Sequence, residues 1–429
     1  MALASAQRRI GLNFFWKSAA EGSRGLQALY FVLLARRLGA AQLGRFSVGF
    51  SGAMILASVG DFGLNTLLTR QVAVDRSQGT NIFLRTAYVK AIFFAVLFIG
   101  AALWPGPGER RLFALLFLGV AATRSLIDQL SYLCLAYEKL VIEAKMKFLF
   151  GFFSLALVWP ALAVRPSADA AAGALLGAQI LAAAAGAVMA ARHVLVLPRL
   201  SRWPTLGWPV SNVKELPAMT LITVALAGFS RIDIACLRWL GVAAADIGSY
   251  FAAERIIATV CLLPGLLAIA ALPVFSRPED AGHAGTVRRL RGMLFAAGCI
   301  AGLALYVGGG PLVRLIYGAN FNDASRPLGW LGLALPFMFI NHFSLIALIA
   351  EKRSWHAAFA AFAAFLLNVL VDWILIPRLG IFGAAMGAVS AQAAVSLLVW
   401  PFLAKESPRR PGAGEAALAL AVDQERSDL

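Results

Sequence analysis

Residues 38–46 read LGAAQLGRF, and residues 240–250 read LGVAAADIGSY. The two Leu-Gly pairs lie 202 positions apart, and the glycines that follow them, Gly44 and Gly248, lie 204 positions apart. Nearly equal offsets indicate two homologous halves of about 200 residues each. The sequence therefore predicts an internal repeat, and the fold depends on what each half contains.

Composition places both halves in a membrane. Hydrophobic residues make up 60% of the 429 positions, charged residues make up 14%, and the mean hydropathy is +0.77. Apolar runs such as 87–103 cannot form the surface of a soluble protein. The chain is therefore predicted to be an all-α polytopic membrane protein.

Twelve apolar stretches approach the roughly 20 residues that cross about 30 Å of hydrocarbon. The predicted spans are 14–35, 46–67, 87–103, 112–136, 148–164, 170–191, 216–237, 249–272, 292–313, 328–349, 355–376 and 382–403. Six spans return the chain to its starting side, so the repeat is parallel, with its axis along the membrane normal. The expected fold is about twelve transmembrane helices in two six-helix repeats around a central cavity.

Both termini are predicted to be cytoplasmic, because most of the 38 Lys and Arg residues then fall on the cytoplasmic side. The composition of the tail, residues 405–429, changes to Pro, Gly and charged residues, which is typical of a disordered segment. The predicted domains are an N-terminal six-helix bundle (1–200), a cytoplasmic linker (201–215), a C-terminal six-helix bundle (216–404) and a disordered cytoplasmic tail (405–429).

Helix interruptions occur at matching places in the two halves. The run GDFG at 60–63 breaks helix two, and Pro264-Gly265 breaks helix eight 204 positions later. Paired interruptions are the best sequence indicator of the working cavity of a secondary transporter. The cavity is therefore predicted at the seam between the halves, lined by helices one, two, seven and eight.

Arginines lie within the predicted spans at Arg24, Arg124 and Arg231. An ionised side chain at the bilayer centre costs roughly 2.5–3.5 kcal/mol on the lenient insertion scale, so such residues normally face a water-filled cavity or a ligand. Lys17 and Glu21 precede Arg24 by seven and three positions, which places all three on one stripe of helix one.

Guanidinium groups fit phosphate oxygens bidentately, so the basic residues of the spans are candidates for binding an anion. These candidates are Arg24, Arg124, Arg231, Arg255 and Lys17. The alternative interpretation is that nearby acids pair with them and hold the bundles together. The sequence leaves both interpretations open.

Acids within the spans are candidates for carrying a coupling ion, because carboxylates in a low-dielectric cavity can relay protons. These candidates are Asp61, Asp128, Glu21 and Glu254. Asp233 is predicted to pair with a nearby cation. Asp372, which precedes Pro377 by five positions, is predicted to be a structural residue at a helix end.

No catalytic or cofactor motif accompanies these charges. The sequence contains no H-E-x-x-H, no G-x-x-x-x-G-K-[ST] and no D-x-D pair, so we expect no metal, no cofactor and no enzymatic activity. The net charge of +16 is spread over short loops. Membrane topology and anionic lipid explain this charge better than nucleic acid does.

Several short motifs stand in a specific order along the chain. They are LARRLGAAQLG (34–44), DFGL (61–64), RID (231–233), GSY (248–250), LIYG (315–318) with Phe321, and Asn368 to Asp372 leading into IPRLGIFGAA (376–385). Together they resemble the polysaccharide-transporter, or Wzx-type flippase, family of the multidrug/oligosaccharidyl-lipid/polysaccharide exporter superfamily. The resemblance covers almost the whole chain, up to about Leu403.

This resemblance implies two six-helix bundles that enclose a V-shaped cavity. It also implies a function, the flipping of undecaprenyl-pyrophosphate-linked oligosaccharide repeat units across the bacterial inner membrane for surface polysaccharide biosynthesis. The implied partners are the lipid-linked substrate and membrane lipid, with a polysaccharide polymerase and a chain-length regulator as candidate protein partners and no nucleic acid.

Lipid II flippases are related proteins, and the resemblance to them implies that cations of helices one, two and eight hold the pyrophosphate. Arg24 and Arg255 lie on helices one and eight, whereas helix two carries Asp61. The count of twelve helices also leaves no thirteenth and fourteenth, which argues against a peptidoglycan precursor as cargo. The alternative function is an ion-coupled multidrug or organic-cation exporter of the same superfamily, for which a cavity rich in acids and aromatics is expected.

Overall fold

The computed structural model describes residues 22–194, 231–262, 283–350 and 354–404, together with positions 16, 20, 220, 221, 224, 225, 228 and 264. These residues form helices and the turns between them, and none of them lies in a strand. The helices are α1 (Arg24–Val59), α2 (Leu64–Val74), α3 (Gly79–Leu103), α4 (Gly108–Ala136), α5 (Leu140–Val164), α6 (Ala168–His193), α7 (Ile232–Trp239), α8 (Ala244–Val260), α9 (His283–Tyr317), α10 (Ser325–Gly332), α11 (Leu335–Ala350), α12 (Ser354–Leu379) and α13 (Ile381–Ala404).

The predicted all-α, multi-pass fold is confirmed. Among the described residues, seven helices are long and apolar enough to cross a membrane, and two bent helix pairs bring the number up to nine. The remaining predicted spans lie partly outside the described residues.

The first glycine of each repeat permits a sharp turn of the chain. Gly39 interrupts α1 with φ 69° and ψ 173°, which divides the helix into segments 24–38 and 40–59 that overlap the predicted spans 14–35 and 46–67 in part. Its counterpart Gly241 has φ 79° in the turn between α7 and α8. These positive φ values are favourable only for a residue without a Cβ atom.

The break predicted at 60–63 is present, and α1 and α2 bend there by 44°. Phe62 and Gly63 have φ values of 49° and 71°. The Phe62 ring packs edge-on against Phe93, with centroids 5.4 Å apart. This turn places Asp61 inside the bundle, where it is buried. In the second half, α8 ends at Val260, and the counterpart Gly265 lies outside the described residues.

The second glycine of each repeat permits α1 and α8 to touch through their backbones. A Cβ atom on Gly44 would lie 1.8 Å from the carbonyl oxygen of Ala244, and one on Gly248 would lie 1.9 Å from that of Ala40. The contact is reciprocal, as expected for equivalent positions beside a two-fold axis. We call this contact the α1–α8 crossing.

A side chain reinforces the seam at the same end of the bundle, which we call the outer end because the sequence predicts it to be periplasmic. Arg36 donates hydrogen bonds to the carbonyl oxygens of Leu315 and Ile316, at 2.6 and 2.7 Å. These carbonyls belong to the last turn of α9, where the helix dipole favours a cation.

The α1–α8 crossing predicts the effect of a single methyl group. In Gly248→Ala, the Cβ atom must push against the backbone of Ala40, so we expect a loss of about 1–3 kcal/mol of stability and a lower melting temperature in detergent. Gly52→Ala is the matched control on α1, because a Cβ there meets nothing within 4 Å. Equal melting temperatures for both variants would contradict the crossing.

Candidate functional site

Two arginines and one glutamate meet at the seam, next to the α1–α8 crossing on its inner side. Arg231 is the N-cap residue of α7, whereas Glu254 and Arg255 are neighbours on α8. The Glu254 carboxylate accepts a hydrogen bond from Arg255 at 2.5 Å and one from Arg231 at 3.5 Å. The three side chains are only 12–18% exposed. We call this group the central site.

Three aromatic rings form one wall of the central site. Phe31 and Phe50 of α1 and Phe251 of α8 contact one another edge to face, with centroids 5.5–6.2 Å apart. The Arg255 guanidinium lies over Phe31 at 5.1 Å and over Phe251 at 4.7 Å. Such cation–π contacts stabilise a guanidinium that has lost part of its water.

The central site contains more positive than negative charge. Two guanidinium groups share the single Glu254 carboxylate. The Arg255 Nε atom and the Glu254 Oε2 atom are buried without a hydrogen-bond partner. A donor of this kind can bind an incoming anion, because a buried polar group without a partner carries a desolvation penalty that the ligand would relieve.

The remaining predicted cations are Arg124, Arg24 and Lys17. Arg124 of α4 pairs with Asp128 at 3.0 Å, as their i, i+4 spacing suggested. Arg24 is exposed at the start of α1, two turns or about 10 Å along the axis from Phe31. Lys17 and Glu21 lie outside the described residues.

Asp61 has a basic partner that sequence reasoning missed. The Lys90 ammonium group of α3 pairs with the Asp61 carboxylate at 2.8 Å and donates to the Asn65 side-chain oxygen at 2.8 Å. Both charged side chains are less than 10% exposed. A single lysine inside the apolar run 87–103 was the available signal, since a charge there needs a partner.

A second group of oxygens lies in the C-terminal half, and the expectation that Asp233 pairs with a cation is wrong. Its carboxylate accepts hydrogen bonds from the Tyr250 hydroxyl and the Asn368 amide, each at 2.5 Å. Asp372 lies beside it. The expectation that Asp372 marks a helix end is also wrong, because α12 continues through Pro377.

This group, which we call the carboxyl pair, has no basic partner among the described residues, and its two donors, the Tyr250 hydroxyl and the Asn368 amide, both serve Asp233. Asp372 is fully buried, and neither of its carboxyl oxygens nor the side-chain oxygen of Asn368 accepts a hydrogen bond of normal geometry, although the Cys236 thiol lies beside Asp372. Gly387 makes room for it, since a Cβ there would lie 2.1 Å from Asp372 Oδ1. Two carboxyl groups in one buried site cannot both stay ionised unless a proton or a cation lies between them. No group of three His, Cys, Asp or Glu residues suited to a metal occurs among the described positions.

The fold and these sites define a multi-pass membrane transporter. A sequence model described as "Polysaccharide biosynthesis protein" matches residues 10–197, and a model described as "Lipid II flippase MurJ" matches residues 149–421. The second match spans more than half of the chain, so the protein belongs to the MurJ family. The predicted membership of the wider exporter superfamily is thereby confirmed, and its families are transporters rather than enzymes. No curated protein sequence matches the chain.

Solved structures share the fold at low sequence identity. "Lipid II flippase MurJ, inward closed conformation" has a TM-score of 0.74 and 16% identity, with 91% of this chain and 87% of that chain covered. A transporter of the same superfamily from Pyrococcus furiosus, described as having a "reverse polarity of binding pocket", has a TM-score of 0.64, 13% identity and coverages of 91% and 95%. A point mutant of the Vibrio cholerae MATE transporter VcmN has a TM-score of 0.56, 16% identity and coverages of 93% and 96%.

The Asp61–Lys90 pair predicts that removing one of its two charges destabilises the protein more than removing both. In Lys90→Met, the buried Asp61 carboxylate loses its partner, so we expect a loss of about 3–5 kcal/mol. The double variant Asp61→Asn/Lys90→Met removes both charges and should recover much of that loss. Thermal unfolding of the two single variants and the double variant gives the coupling, and additive losses would show that the pair does not interact.

Proposed function

We propose that the protein flips undecaprenyl-pyrophosphate-linked oligosaccharide repeat units across the bacterial inner membrane for surface polysaccharide biosynthesis. The observation that carries the proposal is the central site, where Arg231 and Arg255 share one carboxylate beside an aromatic wall. A pyrophosphate supplies the negative charge that this group lacks. A polysaccharide polymerase and a chain-length regulator are the proposed users of the delivered units.

The geometry suggests how the central site acts on such a cargo. The pyrophosphate would approach the guanidinium groups from the cavity, and their planar forks would bind its oxygens in pairs. Glu254 would then serve as the resting partner that holds both arginines in place between cycles. The rings of Phe31, Phe50 and Phe251 replace part of the water around the cations.

A peptidoglycan precursor is the second candidate cargo. The family match at residues 149–421 favours it, because the matched family is described as a lipid II flippase. The match of residues 10–197 to a polysaccharide biosynthesis protein favours the oligosaccharide repeat unit. Both cargoes present the same lipid-linked pyrophosphate, so their glycans distinguish them and the central site does not.

An organic-cation exporter fits the central site less well. Such cargo would meet two guanidinium groups and one carboxylate, and like charges in a low-dielectric site cost several kcal/mol. Two other acids proposed for coupling that the structure describes also have basic partners, since Asp61 pairs with Lys90 and Asp128 with Arg124.

A deletion strain separates the three cargoes. For the proposed function, we expect lipid-linked repeat units to accumulate on the cytoplasmic face and surface polymer to disappear, with unchanged sensitivity to cationic dyes. Lysis with accumulation of the peptidoglycan precursor would instead identify the second candidate. Hypersensitivity to cations with intact polymer would support the exporter and overturn the flippase.

Complementation of that strain tests the central site. Arg255→Ala should reduce surface polymer at least about tenfold, because a hydrogen bond to a charged group contributes about 1.5–3 kcal/mol, and Arg255→Lys should restore only part of it. Arg326→Ala is the matched control, since Arg326 is an exposed arginine of α10. Wild-type polymer levels in Arg255→Ala, with the protein present in the membrane, would remove Arg255 from the site.

We also propose that transport is coupled to a proton or small cation through the carboxyl pair, Asp233 and Asp372. Three oxygens of this group, the two of Asp372 and the side-chain oxygen of Asn368, have no hydrogen-bond partner, which supports this assignment over the described acids that already have basic partners. A cation bound at 100 times its Kd would stabilise the protein by about 2.7 kcal/mol.

Thermal unfolding tests this coupling site. Li⁺, Na⁺ or K⁺, compared with choline at equal ionic strength, or a change of pH, should shift the wild-type melting temperature, and Asp372→Asn should remove the shift. Asp246→Asn, which alters an exposed acid of α8, should keep it. A shift that persists in Asp372→Asn, or a wild type that responds to neither cation nor pH, would contradict the assignment.

A further inference from the structure

A cavity of about 560 Å³ lies at the outer end, on the opposite side of the α1–α8 crossing from the central site. Its walls come from both halves of the protein. Arg45 and Arg110 belong to α1 and α4 of the N-terminal half, and Arg238 belongs to α7 of the C-terminal half. Gly44 and Ala244 of the crossing form its floor. We call this cavity the outer pocket.

The outer pocket contains three positive charges and no negative one. None of its lining residues is acidic. Among the described residues, no carboxylate forms an ion pair with Arg45, Arg110 or Arg238. Arg45 lies over the Phe113 ring at 5.8 Å, a contact that leaves its N–H groups available for a ligand.

Two helix N-termini add to this positive potential. The outer pocket is lined by Arg110 and Phe113 in the first two turns of α4 and by Ala244 and Ile247 in the first turn of α8. Neither helix has a side chain that caps its first N–H groups. The N-terminal end of a helix carries partial positive charge and favours an anion.

The acids and aromatics around the outer pocket fit a ligand that reaches it from the membrane surface. Glu109 and Asp246 lie in the same first turns, but both are exposed and neither lines the wall. Trp104 lines the wall at the end of α3 and is 46% exposed, next to the exposed Leu103. A tryptophan at a helix end is typical of the membrane–water interface.

We propose that the outer pocket binds the phosphate group of a lipid head group, held between Arg45, Arg110 and Arg238. The acyl or isoprenyl chain would lie along the exposed apolar end of α3. The phosphate comes either from a bilayer phospholipid or from an isoprenyl diphosphate. The site is separate from the central site and does not depend on which cargo that site takes.

Binding in the outer pocket has a conformational consequence. The three arginines come from both halves, so one phosphate can contact all of them only while the α1–α8 crossing is closed. A ligand that binds one conformation better shifts the population toward it. The lipid phosphate therefore holds the outer end shut, together with the Arg36 hydrogen bonds to α9.

Native mass spectrometry of the purified full chain in detergent tests the site with two probes, phosphatidylglycerol and farnesyl diphosphate, against phosphatidylcholine. Both proteins compared carry Arg255→Gln, so that any binding of the diphosphate at the central site is weakened equally in both. Adding Arg45→Gln, Arg110→Gln and Arg238→Gln should weaken binding of at least one anionic probe by about tenfold per arginine. Arg165→Gln, an exposed arginine between α5 and α6, is the matched control and should leave affinity unchanged.

The two probes identify the source of the phosphate. Loss confined to phosphatidylglycerol supports a bilayer phospholipid, and loss confined to farnesyl diphosphate supports an isoprenyl lipid. The three arginines are exposed, so melting temperatures should stay within a few degrees of the parent protein; if the triple variant does not fold, the single variants give the same comparison. Unchanged affinity for both probes, or equal losses in Arg165→Gln, would overturn the proposal.

Discussion

The α1–α8 crossing is the contact on which the rest of the seam depends. Because Gly44 and Gly248 have no side chains, the two helix backbones meet directly and fix the relative position of the two halves. Phe50 lies six positions after Gly44, and Phe251 lies three positions after Gly248. The aromatic wall is therefore assembled from both helices one layer inside the crossing, and the outer pocket is formed one layer outside it.

Charge balance distinguishes the groups of this membrane interior that are already neutralised from those that are not. In the N-terminal half, the Asp61–Lys90 and Arg124–Asp128 pairs each contain one charge of either sign. In such a pair the two opposite charges offset the cost of burying each other, and little net charge remains to attract a ligand. The C-terminal half contains the unbalanced groups, which are the central site with an excess of arginine and the carboxyl pair with an excess of oxygen. Unbalanced buried charge favours binding of a ligand or a proton, which is why we propose that the chemistry of transport is concentrated in that half.

The sequence predicted which positions of the two halves are equivalent, but it did not predict which residues are in contact. Gly44 and Gly248 were recognisable as equivalent positions from their offset, whereas their mutual contact depends on where the repeat axis passes, and an offset carries no such information. Asp61 was recognisable inside the membrane, but its partner Lys90 is 29 positions away and on another helix. Asp372 was misplaced because Pro377 normally ends a helix, and here α12 continues through it.

Glycines at the crossing also make the seam separable. Interdigitated side chains would have to disengage before the helices could separate. Two backbone surfaces without side chains between them can separate without that step, and lipid or water can fill the space. The free energy needed to open the seam then goes mainly into breaking specific polar contacts, such as the hydrogen bonds of Arg36 to α9. For the proposed passage of cargo from the central site to the outer end, the seam would act as a barrier that backbone contact closes and that a few hydrogen bonds, replaceable by a ligand, hold shut.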